Sequence, residues 1–191
     1  MPSLKGTQTE KNLLAAFAGE SQARNRYTYA AGAAQKEGYR QIEAIFLETA
    51  ENEKEHAKRF FKFLEGGTAE VVAAYPAGRI GSTEENLAAA AGGENEEWTQ
   101  LYPAFAQKAK DEGFTEIAAA FNLIARVEKE HEARYHKLLE NVRQGSAFRK
   151  ETKVRWRCRN CGYVHEGPGA PDKCPACLHP QEYFEVAAEN Y

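Results

Sequence analysis

The stretch ENEKEHAKRF at residues 51–60 returns in altered form as RVEKEHEARY at residues 126–135. In both copies the letters EKEH interrupt a row of apolar residues that has the three-to-four spacing of a buried helix face. Residues three apart on a helix point in the same direction, so Glu-x-x-His directs one carboxylate and one imidazole toward the core. The residues between them are rotated outward, and we expect these charged side chains to be solvated: Lys54, Glu55, Lys129 and Glu130.

The EKEH copies belong to a longer internal repeat. Residues 38–56, GYRQIEAIFLETAENEKEH, align with residues 113–131, GFTEIAAAFNLIARVEKEH, at a constant offset of 75. Glu20 and Glu94 also occupy matching positions, but at an offset of 74. Tyr27 and Tyr102 return to the offset of 75, so one additional residue lies between Glu94 and Tyr102. The repeat predicts two helical hairpins related by a pseudo-twofold axis, with matching residues face to face.

Helical periodicity, capping patterns and glycine breaks predict four helices in the first part of the chain. They cover residues 7–36, 39–64, 82–112 and 114–143. Short turns at Gly38 and Gly113 join the helices of each pair, and a longer connection joins the two pairs. Two short turns and one long crossover are typical of a four-helix bundle. The predicted fold is therefore mostly α.

The composition changes near residue 146. Alanine-rich and glutamate-rich segments precede this point, and short runs with Gly, Pro, Cys and aromatic residues follow it. We predict a helical domain over residues 1–146, a linker over residues 147–152 and a small β/loop domain over residues 153–191. The chain of 191 residues is long enough for one good core and a small appended module.

Charge and hydropathy exclude several classes of function. A formal net charge of −3 is too small to indicate a nucleic-acid partner. The first twenty residues lack the basic start and apolar run of a secretory signal. No apolar stretch is long enough to span a bilayer. We therefore expect a cytoplasmic protein with neither a nucleic-acid nor a membrane partner.

Carboxylates and imidazoles converge inside the predicted bundle. Buried carboxylates without counter-charges cost roughly several kcal/mol each, so five of them require cations. Two metal ions meet this need, and a carboxylate-rich set with two imidazoles suits iron or manganese. A single Glu-x-x-His is more often a solvated helix face, but two copies at a fixed offset match the ligand pattern of di-iron bundles. The predicted ligands are Glu20, Glu53, His56, Glu94, Glu97, Glu128 and His131.

All four cysteines of the chain lie in two CxxC motifs of the second domain, CRNC at 158–161 and CPAC at 174–177. In a cytoplasmic protein this pattern favours a metal site over disulfides. Each motif presents two sulfurs from a tight turn, and together they form a tetrahedral four-thiolate site. The predicted ligands are Cys158, Cys161, Cys174 and Cys177. Their spacing alone leaves zinc and iron open. Trp156, Tyr163 and Phe184 are predicted to form the core of this domain.

A bundle with duplicated Glu-x-x-His followed by paired CxxC motifs resembles the rubrerythrin family over essentially the whole chain. The resemblance implies a ferritin-like bundle with two carboxylate-bridged irons and a rubredoxin-like domain with one iron in a four-cysteine site. It also implies that the protein reduces hydrogen peroxide to water and protects an anaerobe against oxidative stress. Electrons would come from NAD(P)H through redox partner proteins such as rubredoxin or a reductase. A homodimer is implied as well.

Carried over by position, the resemblance assigns a role to most of the bundle ligands. Glu53 and Glu128 would bridge the two irons. Glu20 would bind the first iron, and Glu94 with His131 would bind the second.

Two predicted ligands, Glu97 and His56, are also the predicted catalytic residues. The resemblance implies that Glu97 binds the first iron in the diferric state and that His56 replaces it in the diferrous state. The additional residue after Glu94 predicts a π-bulge that lets Glu97 reach the iron. Tyr27 and Tyr102 lie near the ligands on their helices and are candidates for hydrogen bonds to ligand carboxylates. The alternative is that both tyrosines are ordinary core aromatics whose hydroxyls have hydrogen-bond partners.

Two other classes of function stay open on the sequence. One is an iron-handling protein, a ferroxidase or mineral store like ferritin, although such a store does not need a one-electron module on each subunit. The other is a redox sensor or electron carrier that acts on no substrate.

Overall fold

The computed structural model describes residues 3–189, and its first part is helical. The helices are α1 Gln8–Lys36, α2 Arg40–Phe61, α3 Thr83–Glu96, a π-helical turn Glu97–Leu101, α4 Tyr102–Asp111 and α5 Thr115–Arg143. Because α3, the π-helical turn and α4 follow one another without a break, these segments form the four long members of a bundle. The four predicted helices are thus confirmed. The second ends at Phe61 rather than near residue 64, because residues 62 and 63 form a turn.

Local sequence signals set the helix ends. The Thr7 side chain accepts a hydrogen bond from the first turn of α1, and Ser82 forms a capping box with Glu85 at the start of α3. Gly38 and Gly113, which follow α1 and α4, have φ of 79° and 85°. This left-handed conformation is strained for other residues, which explains glycine at both short turns. The members of each pair therefore pack antiparallel.

The long crossover between α2 and α3 occupies residues 62–82 and lies on the surface. One of its attachments to the bundle is Tyr75, whose hydroxyl donates to the carbonyl of Ala15 on α1 at 2.6 Å. The ring of Tyr75 also lies against Gly19, where an added Cβ would be 3.5 Å from the ring. The predicted long crossover is confirmed. Among the helices within residues 3–189, none is both long enough and apolar enough to cross a membrane.

The apolar core of the bundle is divided into two clusters by a polar layer. One cluster contains the buried rings of Phe46 and Tyr135, and the other those of Phe60, Tyr102 and Phe121. Burying a large apolar side chain contributes about 1.5–3 kcal/mol, so the two clusters stabilise the bundle on both sides of the layer. The layer itself contains the predicted metal ligands.

The second domain is a small antiparallel sheet. Its strands are β1 Arg149–Cys158, β2 Val164–Gly169 and β3 Phe184–Val186, in the order β2-β1-β3. Trp156 and Phe184 are buried at its centre, with Tyr163 packed against them as predicted. The indole nitrogen of Trp156 donates to the carbonyl of Gly167 at 3.0 Å. Strand β1 begins within residues 147–152, where its first residue pairs with Gly169. The predicted domain termini at residues 1, 2, 190 and 191 lie outside the described residues.

The sheet packs against the end of the bundle where α2 begins. Arg40 Nε donates to Glu182 at 2.9 Å, and the Arg40 guanidinium lies 4.9 Å from the centre of the Tyr183 ring. Tyr39 stacks on Phe148 with ring centroids 6.0 Å apart. These contacts place the second domain about 20 Å from the polar layer, since thirteen residues of helix separate Arg40 from the ligand on α2.

Candidate metal centres

Two four-residue clusters lie side by side in the polar layer. One consists of Glu20, Glu53, His56 and Glu128, and the other of Glu53, Glu94, Glu128 and His131. Within each cluster the potential ligand atoms lie within 4.8 Å of one another. Glu53 and Glu128 belong to both clusters. A carboxylate shared between neighbouring clusters has the position needed to bridge two metal ions. The structure therefore brings together six of the seven predicted bundle ligands.

The two histidines occupy equivalent positions relative to the shared carboxylates. His56 Nδ1 lies 2.9 Å from Glu53 Oε2 and 3.0 Å from Glu128 Oε1. His131 Nδ1 lies 3.2 Å from Glu53 Oε1 and 2.8 Å from Glu128 Oε2. Each imidazole thus faces one oxygen of each shared carboxylate. This pseudo-twofold arrangement is the one predicted from the repeated EKEH.

The donor atoms of the layer fit two cations. Within residues 3–189, six buried ligand atoms make no hydrogen bond: Glu20 Oε2, Glu53 Oε1, Glu94 Oε2, Glu128 Oε1, Glu128 Oε2 and His131 Nδ1. A buried polar atom without a partner costs about 1–3 kcal/mol, and a charged one costs more. Because these atoms converge on two points, a metal ion at each point would satisfy all of them.

The pKa values of several groups in the layer are raised, which means that the layer favours bound positive charge. Burial raises the pKa of Glu20 well above its ordinary value, and the nearby charges of Glu128 and Glu53 raise it further. Burial likewise raises the pKa of Glu94, to about 8, although the nearby His131 opposes the change. Burial lowers the pKa of His131, but its contacts with the surrounding carboxylates outweigh this and raise it to about 12. Cations bound here would take the place of these protons.

Two tyrosines hold the outer carboxylates from the opposite half of the bundle. The Tyr27 hydroxyl donates to Glu94 Oε1 at 2.6 Å, and the Tyr102 hydroxyl donates to Glu20 Oε1. In each carboxylate the other oxygen, Oε2, is the one without a partner. The tyrosines therefore orient both carboxylates and leave one oxygen of each free for a metal ion. The predicted hydrogen bonds of Tyr27 and Tyr102 are confirmed.

Glu97 is the predicted ligand that lies outside both clusters. It begins the π-helical turn Glu97–Leu101, so the π-bulge predicted from the additional residue is confirmed. Its side chain is half-buried. Burial raises its pKa well above the ordinary value, and the charges of Glu94 and Glu128 add to this effect. The charge of Glu97 therefore interacts with the carboxylates of the clusters, and its role as a ligand stays a prediction.

A cavity of about 740 Å³ opens beside Glu97. It lies between α1, the crossover, α3 and the π-helical turn, and its wall includes Tyr27, Tyr75 and Tyr102. Two of these tyrosines are the ones that hydrogen-bond to Glu94 and Glu20. The cavity therefore extends from the surface to the shell of residues around the clusters.

The four cysteines of the second domain form a third cluster. Their sulfurs lie within 4.8 Å of one another, with Cys158 3.7 Å from Cys177 and Cys161 3.7 Å from Cys174. A disulfide requires about 2.05 Å, so these are free thiols. A tetrahedral site with metal–sulfur bonds of about 2.3 Å separates its sulfurs by about 3.8 Å. The backbone N–H of His179 lowers the pKa of the Cys177 thiol to about 6, which favours the thiolate that binds metal.

Sequence reasoning overlooked one residue that connects to the ligand-bearing segments. Glu132 on α5 accepts hydrogen bonds from the side chains of Asn95 and Trp98. The repeat contained a signal for it, because the matching position in the first half is Ala57. A charged residue that appears in only one half of a repeat at a metal layer is a candidate for an asymmetric role.

The bundle with its paired carboxylate–histidine clusters, followed by the four-cysteine domain, defines a ferritin-like di-iron protein with a rubredoxin-like domain. Residues 11–155 match the family model described as Rubrerythrin. Residues 156–185 match the model described as rubrerythrin, rubredoxin-like domain. The chain belongs to the rubrerythrin family.

Relatives with the same name match over nearly the whole chain. Rubrerythrin of Porphyromonas gingivalis is 64% identical over 189 residues, which cover 99% of this chain and 94% of the relative. Rubrerythrin of Nitratidesulfovibrio vulgaris is 57% identical over 191 residues and is covered completely, as is this chain.

Solved structures show the same architecture. The fully reduced, all-ferrous state of nigerythrin matches with a TM-score of 0.63 at 32% identity and covers 97% of this chain and 89% of that one. The bacterioferritin of Mycobacterium tuberculosis matches with a TM-score of 0.63 at 17% identity over 75% of this chain and 90% of that one, which shows the fold alone. The bundle of this chain therefore carries the di-iron site of its family, and the rubredoxin-like match favours iron over zinc at the four cysteines.

Proposed function

We propose that this protein is a non-haem di-iron peroxidase that reduces hydrogen peroxide to water. Electrons come from NAD(P)H through redox partner proteins and enter through the four-cysteine iron. Membership in the rubrerythrin family supports iron-based protection against oxidative stress in general. The observation that supports the peroxidase in particular is the presence of a paired metal site and a one-electron site on one chain.

The stoichiometry of the reaction fits this pairing. Hydrogen peroxide takes up two electrons and two protons, its O–O bond breaks, and two water molecules form. The paired clusters would hold two irons able to supply both electrons, and the four cysteines would hold a third iron able to restore them singly. A substrate that needs two electrons at once is therefore matched to a site with two metals.

The carboxylates and tyrosines of the bundle would have different roles at the iron site. Glu53 and Glu128 would bridge the irons, because each belongs to both clusters. Glu20 would bind one iron. The hydrogen bonds from Tyr27 and Tyr102 would keep the outer carboxylates turned toward the metal.

His56 and Glu97 would exchange at the first iron with its oxidation state. The hard anionic carboxylate suits the ferric ion and the neutral imidazole suits the ferrous ion. His56 lies within a cluster but has 12% of its side chain exposed, compared with 5% for His131. Glu97 lies on a π-helical turn whose residues are not buried, which leaves it room to approach. Peroxide would enter through the cavity beside Glu97.

Partners and organisation form part of the same proposal. The family matches at residues 11–155 and 156–185 support a division into two domains, which we place over 1–146 and 153–191. The proposed linker over 147–152 overlaps the start of β1 at Arg149. The rubredoxin-like domain would receive electrons from a donor protein. We further propose a homodimer in the cytoplasm, where reducing conditions keep the four thiols available for metal.

Stopped-flow mixing of the all-ferrous protein with peroxide, and separately with O₂, tests the peroxidase. Fast oxidation of both kinds of iron centre, selective for peroxide, is the expected result. Preference for O₂ together with uptake of iron beyond a few atoms per chain would instead show a ferroxidase or iron store. Oxidation without catalytic consumption of peroxide in the presence of NADH, a reductase and rubredoxin would show an electron carrier or sensor.

A further inference from the structure

The carboxylate of Glu132 ties the region of the π-helical turn to α5. Its Oε2 accepts a hydrogen bond from the indole nitrogen of Trp98 at 2.5 Å, and its Oε1 accepts one from the Asn95 side-chain amide at 3.0 Å. The His136 ring nitrogen lies 3.3 Å from the same Oε1. Only 15% of the Glu132 side chain is exposed, so water competes weakly for these bonds.

Glu132, Asn95 and Trp98 form a hydrogen-bonded triad, and each of its members is the residue directly after a predicted iron ligand. Asn95 follows Glu94, Trp98 follows Glu97, and Glu132 follows His131. A single carboxylate therefore fixes the axial and rotational position of the Glu94–Glu97 segment relative to the histidine on α5. A shift of one residue in that segment would separate both donors from Glu132.

The first half of the repeat lacks the triad. At the position of Glu132 it has Ala57, and at the position of Asn95 it has Ser21. The Ser21 hydroxyl donates to the carbonyl of Phe17 on its own helix instead. In that half α1 continues as a regular α-helix. The triad and the π-helical turn thus occur together in the second half and are both missing from the first.

Core packing holds the π-helical turn only in part, because Trp98 is its one residue packed against the apolar cluster around Phe121. None of its residues from Glu97 to Leu101 is buried. A π-helical turn is a rare form of helix, and the extra residue between Glu94 and Tyr102 could be accommodated at more than one position, so contacts outside the turn are needed to fix where it forms. Two further contacts support it: the Thr99 hydroxyl donates to the Asn95 carbonyl at 2.5 Å, and the Lys129 ammonium lies 5.3 Å from the centre of the Trp98 ring.

We propose that Glu132 is a positioning residue that holds the π-helical register and thereby sets how Glu97 is presented to the first iron. The part of this statement that concerns iron rests on the proposed function, since Glu97 acts there as the exchangeable ligand. The part that concerns the register does not, because the hydrogen bonds exist within the protein chain itself.

Amide hydrogen exchange of the full-length, metal-loaded protein tests the register. Glu132→Ala removes both acceptors, and we expect exchange of the amides in residues 97–102 to accelerate about tenfold or more. Trp98→Phe removes one donor, and Glu132→Gln keeps one acceptor oxygen, so both are expected to give smaller increases. Exchange in residues 20–27, the matching segment of α1, is expected to stay unchanged and serves as an internal reference.

Glu130→Ala is the matched control, because Glu130 is an exposed carboxylate two residues away on the same helix. Unchanged exchange in Glu132→Ala would overturn the proposal, as would an equal increase in Glu130→Ala or an equal increase over the whole bundle. If Glu132→Ala does not fold, Trp98→Phe decides the question by the same comparison.

A second measurement addresses the iron. In the oxidised, iron-loaded protein, Glu132→Ala is expected to change the near-ultraviolet absorption of the diferric site and to leave the four-cysteine absorption as it is. An unaltered diferric spectrum would overturn the effect on Glu97. A wild-type protein that does not reduce peroxide would contradict the proposed function and would leave the hydrogen-exchange result standing.

Discussion

The imidazole rings of His56 and His131 lie 6.0 Å apart with an angle of 29° between their planes. Each ring comes from one copy of EKEH, and each faces the same pair of carboxylates, those of Glu53 and Glu128. The two halves of the repeat thus form one nearly symmetric site. The symmetry ends at Glu97, which has no carboxylate counterpart in the first half.

Because of this asymmetry, we expect removal of His56 and removal of His131 to reduce iron affinity differently. We expect His131→Ala to lower iron affinity at least about tenfold in both oxidation states, since even partners outside the ligand shell are worth 10–100-fold. His56→Ala is expected to weaken iron binding in the diferrous state and to have a small effect in the diferric state. Iron content per chain after oxidation and after reduction with a chelator present measures both. Equal losses for the two variants would contradict an exchangeable role for His56.

Each tyrosine hydrogen-bonds to a carboxylate of the opposite half of the bundle, so we expect removal of either hydroxyl to reduce iron affinity by a similar factor. Tyr27→Phe frees Glu94 Oε1, and Tyr102→Phe frees Glu20 Oε1. Each variant is expected to bind iron roughly 10–100-fold more weakly, because the carboxylate is no longer held in place. A competition titration with a chromophoric chelator measures this. Tyr29→Phe, at an exposed position on α1, is the matched control. Unchanged affinity in both buried variants would show that these tyrosines are ordinary core aromatics.

Glu112 predicts a pH-dependent contribution to stability. Hydrogen bonds from the Thr9 side chain and backbone lower the pKa of its carboxyl to about 2 from an ordinary value of 4.5. Because the pKa is lower in the folded state, the carboxylate stabilises the fold fully above about pH 4.5 and loses this effect as the pH falls toward about 2. The free energy of unfolding of Glu112→Gln should therefore fall below that of the wild type at pH 6, with the difference shrinking toward pH 2.

Urea unfolding of the metal-free proteins at several pH values measures that difference. Glu130→Gln, which changes an exposed carboxylate on α5, should track the wild type across the range. A difference between Glu112→Gln and the wild type that does not vary between pH 5 and pH 2 would argue against the hydrogen-bonded carboxylate as its source.

Removal of metal from the four-cysteine site should unfold the second domain and leave the bundle folded. A domain of this size has a small core, so metal binding supplies much of its folding free energy. Cys177→Ser or a strong chelator is expected to expose Trp156, which is fully buried, and shift its fluorescence to longer wavelength. The helical circular dichroism should persist. A colourless wild-type second domain that contains zinc would remove the route of electron entry.

The sequence predicted the helices and the ligand layer well for a physical reason. Both are repeating local patterns: the apolar spacing identifies each helix face, and Glu53, His56, Glu128 and His131 interrupt it at the same phase. Even the π-helical turn could be predicted, because one residue too many between Glu94 and Tyr102 has to be accommodated within a helix. The second helix was predicted to extend beyond Phe61, since the terminal turn depends on weak local preferences.

Other features depended on contacts between distant residues. Glu132 accepts hydrogen bonds from Asn95 and Trp98, which lie 37 and 34 positions away in the chain. The docking of the second domain depends on Arg40 and Glu182, which are 142 positions apart. No periodic pattern encodes such pairs.

The sequence by itself thus determined which residues face the inside of the bundle, that carboxylates and imidazoles meet there in two equivalent sets, and that four thiols form a separate site. These follow from helix geometry and ligand chemistry. Only the tertiary structure decided that Glu97 stands outside both clusters, that each tyrosine serves the opposite half, and that Glu132 links the π-helical turn to α5. Those results depend on the distances between packed helices, which arise when the whole chain folds.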